Sequence, residues 1–316
     1  MATYDLLHSP DFAVADADAL ARRLIESIGL PEPEPEWTQD FPGHGYRAIF
    51  ARVHRSRSYA PTRLEMIAYS PIPEPIDPSI PRGYIEDYMR IQGDRLLKTH
   101  ATVFTTSDIE GLIERVRRRG LRHRVDPISS ELPHLRLWLG VTDDAPGGYR
   151  PDDDAGLFFE AIPTQGLHLR IAPTDPAPPP PAPLLPGQMS RIVAREQLVA
   201  DIDATLRTLA RNLDFETAGP VAVDRADGCR RATLAVTMPH GAHLELVQPT
   251  DPDAEAGRYF SRWGPGPYYT RIAVAGVAAK AEDLRARGTA FSEPPGERPR
   301  LRVDVDGALI EFVDAA

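Results

Sequence analysis

The sequence predicts an α+β fold built from four copies of a βαβββ module. Two observations lead to this prediction. The segment APTDPAPPPPAPLLPGQ, residues 172–188, divides the chain, because a run this rich in proline forms neither a helix nor a central strand and is typical of an extended linker. On each side of this linker, the same order of strand, turn, amphipathic helix and further strands occurs twice.

The part before the linker contains the first two modules. Module 1 begins with the strand DLLHSPDFAV and the helix DADALARRLIESIGL, and continues with the strands YRAIFARV and TRLEMIAYS. Module 2 begins with KTHATVFTT and the helix DIEGLIERVRRRG, and continues with LRLWLGV and GLFFEAIP. Asp16 and Asp108 stand where the N-caps of the two helices are expected, and Gly120 stands just past the second helix.

The part after the linker contains modules 3 and 4. Module 3 reads as the strand SRIVAREQLV, the helix DIDATLRTLARNL, and the strands RATLAVTM and AHLELVQP. Module 4 reads as YYTRIAVAGV, the helix AAKAEDLRARG, and the strands LRVDV and ALIEFVD. Asp201 is the expected N-cap of the third helix, and Gly288 is the residue expected to end the fourth.

Composition narrows the class of protein. The 316 residues are 42% hydrophobic and 26% charged, which is typical of a globular protein. The net charge of −10 disfavours a nucleic-acid partner, and no apolar run reaches the roughly 20 residues that span a bilayer. The N-terminus lacks the features of a signal peptide, and the single cysteine, Cys229, excludes an intramolecular disulfide. We therefore expect a cytoplasmic protein.

The four modules resemble those of the vicinal oxygen chelate superfamily, which includes glyoxalase I, extradiol dioxygenases, methylmalonyl-CoA epimerase and antibiotic-resistance proteins. The resemblance is carried by LLHSPDFAVADADAL with LEMIAYS, by KTHATVFTTSDIEGLIERVRRRG with FFEAIP, by HLELVQP, and by RIAVAGVAAKAEDLRARG with LIEFV. It implies modules paired into two glyoxalase-like domains, residues 1–171 and 189–316. The linker favours pairing module 1 with 2, although some four-module relatives pair module 1 with 4 and module 2 with 3.

The resemblance also implies a metal site, because the superfamily places ligands on the first and last strands of each module. In the first domain these positions hold His8, Glu65, His100 and Glu160. Imidazole and carboxylate ligands suit one divalent ion of Fe, Zn, Ni, Co or Mn. The alternatives are a buried strand histidine with no special role for His8 and a solvent-facing acid for Glu65.

The second domain departs from this ligand pattern. Glu245 and Glu311 occupy its last-strand positions, but Arg191 and Arg271 lie near the expected first-strand ligands. A guanidinium cannot coordinate a cation and repels it. We therefore expect the second domain to be free of metal.

These features predict a metal-dependent lyase or isomerase that acts on a small oxygen-chelating molecule in the N-terminal cleft, as a monomer or a homodimer. Glu65 is either a fourth ligand or the catalytic base, and His134 is a second candidate catalytic residue. Tyr149, on a polar loop before the Glu160 strand, is a candidate lid residue. Two alternatives remain open: an Fe(II)-dependent ring-cleaving dioxygenase, and a non-catalytic protein that binds a drug or natural product.

Overall fold

The computed structural model describes residues 3–33, 38–41, 46–69, 89, 91–95, 97–127, 135–141, 149–167, 175–176, 178–296 and 298–315. The described residues form six α-helices: α1 (Ala17–Ile28), α2 (Ile109–Arg118), α3 (Pro151–Asp154), α4 (Ile202–Leu213), α5 (Glu255–Trp263) and α6 (Val277–Ala286). None of these helices is long and apolar enough to cross a membrane.

The strands before the linker are β1 (Leu6–Ser9), β2 (Asp11–Val14), β3 (Thr38–Phe41), β4 (Tyr46–Ala51), β5 (Leu64–Tyr69), β6 (Thr102–Thr106), β7 (His123–Pro127), β8 (Leu135–Leu139) and β9 (Phe159–Pro163). Those after it are β10 (Met189–Leu198), β11 (Ala222–Asp224), β12 (Cys229–Thr233), β13 (His243–Pro249), β14 (Gly266–Val274), β15 (Arg300–Val305) and β16 (Ala308–Asp314). Of the proline-rich segment 172–188, only residues 175–176 and 178–188 are described.

The first strand of module 1 is broken at Pro10 into β1 and β2. β1 pairs antiparallel with β6 of module 2, in a sheet of order β1-β6-β9-β8-β7. β2 pairs parallel with β5, in a sheet of order β2-β5-β4-β3. Proline has no N–H for a sheet ladder, which is consistent with an interruption at this position. One bent strand therefore joins the sheets of modules 1 and 2.

Modules 3 and 4 share one seven-stranded sheet of order β11-β12-β13-β10-β14-β16-β15. Its two central strands, β10 and β14, are antiparallel, and each runs parallel to the last strand of its own module. The four modules are thus paired by their strands as 1 with 2 and 3 with 4. The prediction of an α+β chain with four modules paired into two is confirmed.

The registers of the parallel pairs align the modules residue by residue. The last-strand acids Glu65, Glu160, Glu245 and Glu311 lie opposite Asp11, Val103, Glu196 and Arg271, respectively. Three residues before these first-strand positions stand His8, His100, Val193 and Tyr268. By this register, Arg191 lies two residues before Val193 and Arg271 three residues after Tyr268, so neither arginine occupies the position equivalent to a histidine of the first half.

Helix contacts link modules that are not paired through their strands. Arg119, the C-cap residue of α2, donates from Nη1 to the carbonyl of Asn212 at the end of α4, at 2.8 Å. Arg287, the C-cap residue of α6, donates to Ile25 and Glu26 carbonyls at the end of α1, at 3.4 and 3.3 Å. Cations at helix C-termini are favourable. Helix contacts therefore join module 2 to 3 and module 4 to 1.

Apolar side chains from all four modules form one continuous core. At one end of it, the Tyr4 ring stacks on Phe215 at 4.1 Å between centroids and meets Phe159 edge-on at 5.7 Å. The predicted N-caps are confirmed: Asp16, Asp108 and Asp201 each accept a hydrogen bond from a backbone N–H of their helix. The shared core and the helix contacts hold the two halves in a fixed relationship.

Candidate functional site

His100 is held by Asp11, a residue of the neighbouring module. The Asp11 carboxylate, on β2, accepts from the backbone N–H of His100 at 2.5 Å and lies 3.0 Å from its Nδ1. Thr99 Oγ1 donates to the other carboxylate oxygen. Both Asp11 and His100 are buried, and no described residue forms a hydrogen bond with His100 Nε2. Asp11 therefore fixes the orientation of the ring, and a metal ion at Nε2 would have to displace the proton that the surrounding carboxylates favour there.

Glu65 and Glu160 lie close enough to His100 to change its ionisation. Burial lowers the pKa of His100, but the charges of Glu65, Asp11 and Glu160 outweigh burial and raise it to about 9. Burial also raises the pKa of Glu65, and the nearby His100 and Arg63 oppose that shift. The structure therefore brings three of the four predicted ligands, His100, Glu65 and Glu160, into one buried group of interacting charges.

His8 is also buried, but its surroundings differ from those of His100. Its side chain is 2% exposed, and Nδ1 has no hydrogen-bond partner. Burial, with the positive charges of Arg63 and Arg52, holds the pKa of His8 well below its usual value, so the ring is neutral. A neutral imidazole with an unsatisfied nitrogen is in the state that a metal ligand requires. The carboxyl groups of Glu65 and Glu160 are not among the groups that shift the pKa of His8.

Two guanidinium groups share the space around the acids. Arg63 lies 3.6 Å above the Phe50 ring, and the charges of Glu65 and Glu160 act on it. Arg136 Nη1 lies 3.9 Å from Glu160 Oε1. Within the part of the chain that the structure describes, no three His, Cys, Asp or Glu side chains are gathered closely enough to hold a metal ion.

Two further sequence predictions concern His134 and Tyr149. His134 lies outside the described residues. Tyr149 is 8% exposed, and its hydroxyl donates to Asp154 at 2.6 Å while its ring stacks on Phe158. Tyr149 therefore packs inward, and because residues 142–148 of its loop lie outside the described residues, its role as a lid residue stays a prediction.

In the C-terminal half, the guanidinium of Arg271 lies between the acids of the last strands. Arg271 donates from Nη2 to Glu196 and Glu245, at 2.5 and 3.1 Å, and from Nε to Glu311 at 2.7 Å. Burial alone would lower the pKa of Arg271, but these glutamates outweigh burial and raise it, so the group is a fixed cation. Arg271, which was expected near the first-strand ligand positions of the second domain, pairs here with the last-strand acids.

Other arginines complete this C-terminal network. Arg231 Nη1 pairs with Glu196 at 2.7 Å and Glu245 at 3.0 Å, while Arg302 Nε pairs with Glu311 at 2.9 Å. Among the described residues, Arg191 forms no ion pair with these acids. Val193 and Tyr268, which stand where His8 and His100 stand in the first half, offer no imidazole. Each of the acids Glu196, Glu245 and Glu311 is therefore paired with at least two arginines, although Glu196 Oε2 has no hydrogen-bond partner.

Sequence analysis missed Asp11, Arg63 and Arg136. Asp11 is recognisable only once β2 is paired with β5, since that register sets it beside Glu65. Arg63 directly precedes β5, and Arg136 on β8 lies two residues from Trp138, which pairs with Glu160. For Arg63 a signal was available in its position two residues before Glu65, whereas Arg136 lies on β8, which carries none of the predicted acids.

Comparison with known proteins supports the fold. A scan against protein-family models and a search of curated proteins found no match. Among solved structures, a triple mutant of 4-hydroxymandelate synthase from Streptomyces coelicolor is 14% identical, with a TM-score of 0.60, over 99% of this chain and 93% of that chain. At this identity the likeness shows the fold alone.

Shorter matches are to methylmalonyl-CoA epimerases. The enzyme from Streptomyces coelicolor, in complex with 2-nitronate-propionyl-CoA, is 28% identical over 40% of this chain and 99% of that chain, with a TM-score of 0.37. The one from Mycobacterium tuberculosis is 23% identical over 40% and 89%, with a TM-score of 0.36. The chain has the fold of the vicinal oxygen chelate superfamily.

Proposed function

We propose that the chain is a metal-dependent enzyme of the vicinal oxygen chelate type, with one divalent ion held by His8, Glu65, His100 and Glu160. Its reaction is a lyase or isomerase step on a small molecule that offers one or two oxygens to the ion. The observation that carries this proposal is the buried group of His100, Glu65 and Glu160, in which Asp11 orients the imidazole.

The donor set fits such an ion by its chemistry. Two imidazoles and two carboxylates suit Fe, Zn, Ni, Co and Mn. A carboxylate that holds the second ring nitrogen, as Asp11 does for His100, is the usual support of a metal-binding histidine. His8 Nδ1, which has no hydrogen-bond partner, is a further nitrogen available to coordinate the ion. Because no three of the described donors converge, His8, Glu65, His100 and Glu160 would hold an ion only if their side chains moved toward one another.

A bound ion would supply Lewis-acid stabilisation of an oxyanion on the substrate. The chain itself supplies the proton transfer. When it is not a ligand, Glu65 is the proposed base, because burial raises its pKa and a carboxyl group with a raised pKa is better matched to accepting and returning a proton near neutral pH. Arg136, 3.9 Å from Glu160, provides a positive charge at the edge of the site. His134 stays a candidate from the sequence alone.

We also propose the domain limits 1–171 and 189–316, with a metal-free second domain. The support is that strand ladders join modules only within each half, apart from the isolated bridge between Leu7 and Ala242 in the described residues. The Arg271 guanidinium supports a structural role for the C-terminal acids, since it supplies the positive charge that an ion would bring.

Titration of chelator-treated protein with Co²⁺ tests this function. Co²⁺ bound by imidazole and carboxylate absorbs visible light with a coordination-dependent spectrum, so binding is seen without a substrate. We expect a saturable spectrum in the wild type, and its loss in His8→Ala and Glu160→Gln. Glu245→Gln, the matched change in the other half, should leave the spectrum unchanged. A spectrum that persists in both site variants would contradict the proposed ligands.

A second candidate is a non-catalytic protein that binds a small molecule in the same cleft. The observation that favours it is the buried Arg63 guanidinium, whose charge interacts with Glu65 and Glu160 without any ion. Absence of Co²⁺ binding, together with retention of a ligand, would favour this candidate. The ring-cleaving dioxygenase requires iron, and oxygen consumption with catechols by the Fe(II)-loaded chain would distinguish it from a lyase.

A further inference from the structure

A pocket lies between the N-terminal and C-terminal halves of the chain. Its volume is about 750 Å³, within the range of small-molecule sites. Tyr149 and Phe158 line it from the N-terminal half, and Leu198 and Trp263 line it from the C-terminal half. None of His8, Glu65, His100 or Glu160 lines this pocket. We call it the interdomain pocket.

Arg95 is the charged residue that distinguishes the interdomain pocket. Its side chain is buried, with 5% exposed, and Nη2 donates to the carbonyls of Trp263 and Gly264 at 2.8 and 2.7 Å. Nη1 has no hydrogen-bond partner. No carboxylate of the described residues forms an ion pair with Arg95, although buried charges in proteins are normally paired. The guanidinium therefore has a buried donor without a partner, and no carboxylate of the described residues balances its charge, although Cζ lies 5.9 Å from the centroid of the Tyr259 ring.

The surroundings of Arg95 keep this charge in place. A Cβ at Gly266, whose φ is +146°, would collide with Arg95 Nη1, so this glycine makes room for the guanidinium. The nearby Arg195 is also buried, and its guanidinium donates to neutral oxygens, Thr270 Oγ1 and the Asp11 carbonyl. Arg195 does not line the pocket, and the nearby charges of Asp11 and Glu196 act on it, so the buried cation that lines the pocket is Arg95.

The acids of the pocket do not neutralise Arg95. Asp201 and Asp152 both line the pocket, and both are exposed to solvent. The Asp201 side chain is engaged as the N-cap of α4, where it accepts from Ala204 N–H. The remaining walls are mainly apolar and aromatic, with the Tyr149 and Phe158 rings stacked at 4.6 Å between centroids.

We propose that the interdomain pocket binds a small organic anion. A carboxylate of the ligand would pair with Arg95, and a flat apolar body would pack against Tyr149, Phe158 and Trp263. A guanidinium recognises a carboxylate through charge-assisted hydrogen bonds, and aromatic walls favour a planar ligand. The site is independent of the proposed metal chemistry, since the two share no residue.

Calorimetric titration with naphthoate tests the proposal, with uncharged naphthamide as the matched probe. We expect saturable binding of naphthoate to the wild type and weaker binding of the amide. Arg95→Met should weaken naphthoate binding by about tenfold or more, the effect of losing one charge-assisted hydrogen bond, and should leave amide binding unchanged. Naphthoate that does not saturate the wild type, or binds Arg95→Met equally well, would overturn the proposal.

A second pair of variants keeps the test valid if Arg95→Met does not fold. Thr208 on α4 lines the pocket, whereas the neighbouring Arg207 is exposed and does not. Thr208→Trp should fill the pocket and abolish naphthoate binding, while Arg207→Trp should retain it. Equal binding by both would overturn the proposal. His100→Ala should bind naphthoate as the wild type does, which separates this outcome from a failure of the metal site.

Discussion

The Arg271 guanidinium joins the last-strand acids of two modules, with Nη2 3.1 Å from Glu245 Oε2 and Nε 2.7 Å from Glu311 Oε2. The equivalent acids of the first half, Glu65 and Glu160, lie near a histidine and two arginines instead. The two halves have paired modules, but their acids have different cationic partners. This difference is the basis of the proposal that only the N-terminal half holds a metal ion.

Arg271→Met is expected to destabilise the chain strongly. Three glutamates, Glu196, Glu245 and Glu311, would each lose an ion-pair partner in a buried position, and a broken buried ion pair costs about 3–5 kcal/mol. Urea denaturation measures the free energy of unfolding. The matched control is Arg23→Met, which removes an exposed ion pair with Asp306 and should cost less than about 1 kcal/mol. Equal losses in the two variants would be inconsistent with the network described above.

The contact between α6 and α1 is expected to stabilise the association of the halves. The buried Lys280 ammonium donates to the Ile28 carbonyl at 2.6 Å, at the end of α1, and to Asp283 at 2.7 Å. Lys280→Met would leave that carbonyl without its donor, at a cost of about 1–3 kcal/mol in the free energy of unfolding. Arg285→Met, an exposed change on the same helix, is the control and should be nearly neutral. A neutral Lys280→Met would show that this contact contributes little.

Stability is expected to depend on pH through Asp154. Burial raises the pKa of this carboxyl from 3.8 to about 7, although Tyr149 and the backbone N–H groups of Gly156 and Phe159 donate to it. Since the folded pKa lies above the unfolded one, the stabilising contribution is complete below pH 3.8 and is lost as the pH rises through about 7.

We therefore expect the melting temperature of the wild type to fall between about pH 4 and pH 7 more steeply than that of Asp154→Asn, which cannot titrate. Thermal denaturation followed by circular dichroism, in buffers of equal ionic strength, measures both slopes. Parallel slopes for the two proteins would exclude Asp154 as the titrating group.

The thiol of Cys229 is expected to be unreactive in the folded chain. Cys229 is fully buried, its Sγ–H donates to the Asp227 carbonyl at 3.2 Å, and burial raises its pKa to about 12. Thiolate is the reactive form, so Ellman's reagent at pH 8 should label the native protein far more slowly than the unfolded protein. Rapid labelling under native conditions would show that this part of β12 opens readily.

The helices and their starts were predictable because their signals are local. Asp16, Asp108 and Asp201 act within one turn of their own helices. α5 was missed, since its N-cap residue is Ala254, which offers no side-chain hydrogen bond. The short strands β3, β7 and β11 were also missed, because periodicity over three to five residues is too brief to identify a strand.

The strands that carry most of the candidate ligands were predictable from the sequence, but the contacts between the side chains were not. The assignment of His8, Glu65, His100 and Glu160 as ligands comes from the family resemblance and stays a prediction, whereas the partnership of Asp11 with His100 depends on the bend at Pro10. The position of Arg63 near Glu160 depends on how the sheets of modules 1 and 2 face each other. Such tertiary relationships have no counterpart in the spacing of residues along the chain.

The metal content of untagged protein tests the central claim most directly. Elemental analysis by mass spectrometry, after exchange into metal-free buffer, should find about one equivalent of a divalent transition metal per chain, the content of a single two-histidine, two-carboxylate site. That metal should be absent from His100→Ala and retained in Glu311→Gln. A wild-type chain that contains no metal and takes up none from solution, or a His100→Ala variant that keeps a full equivalent, would contradict the account.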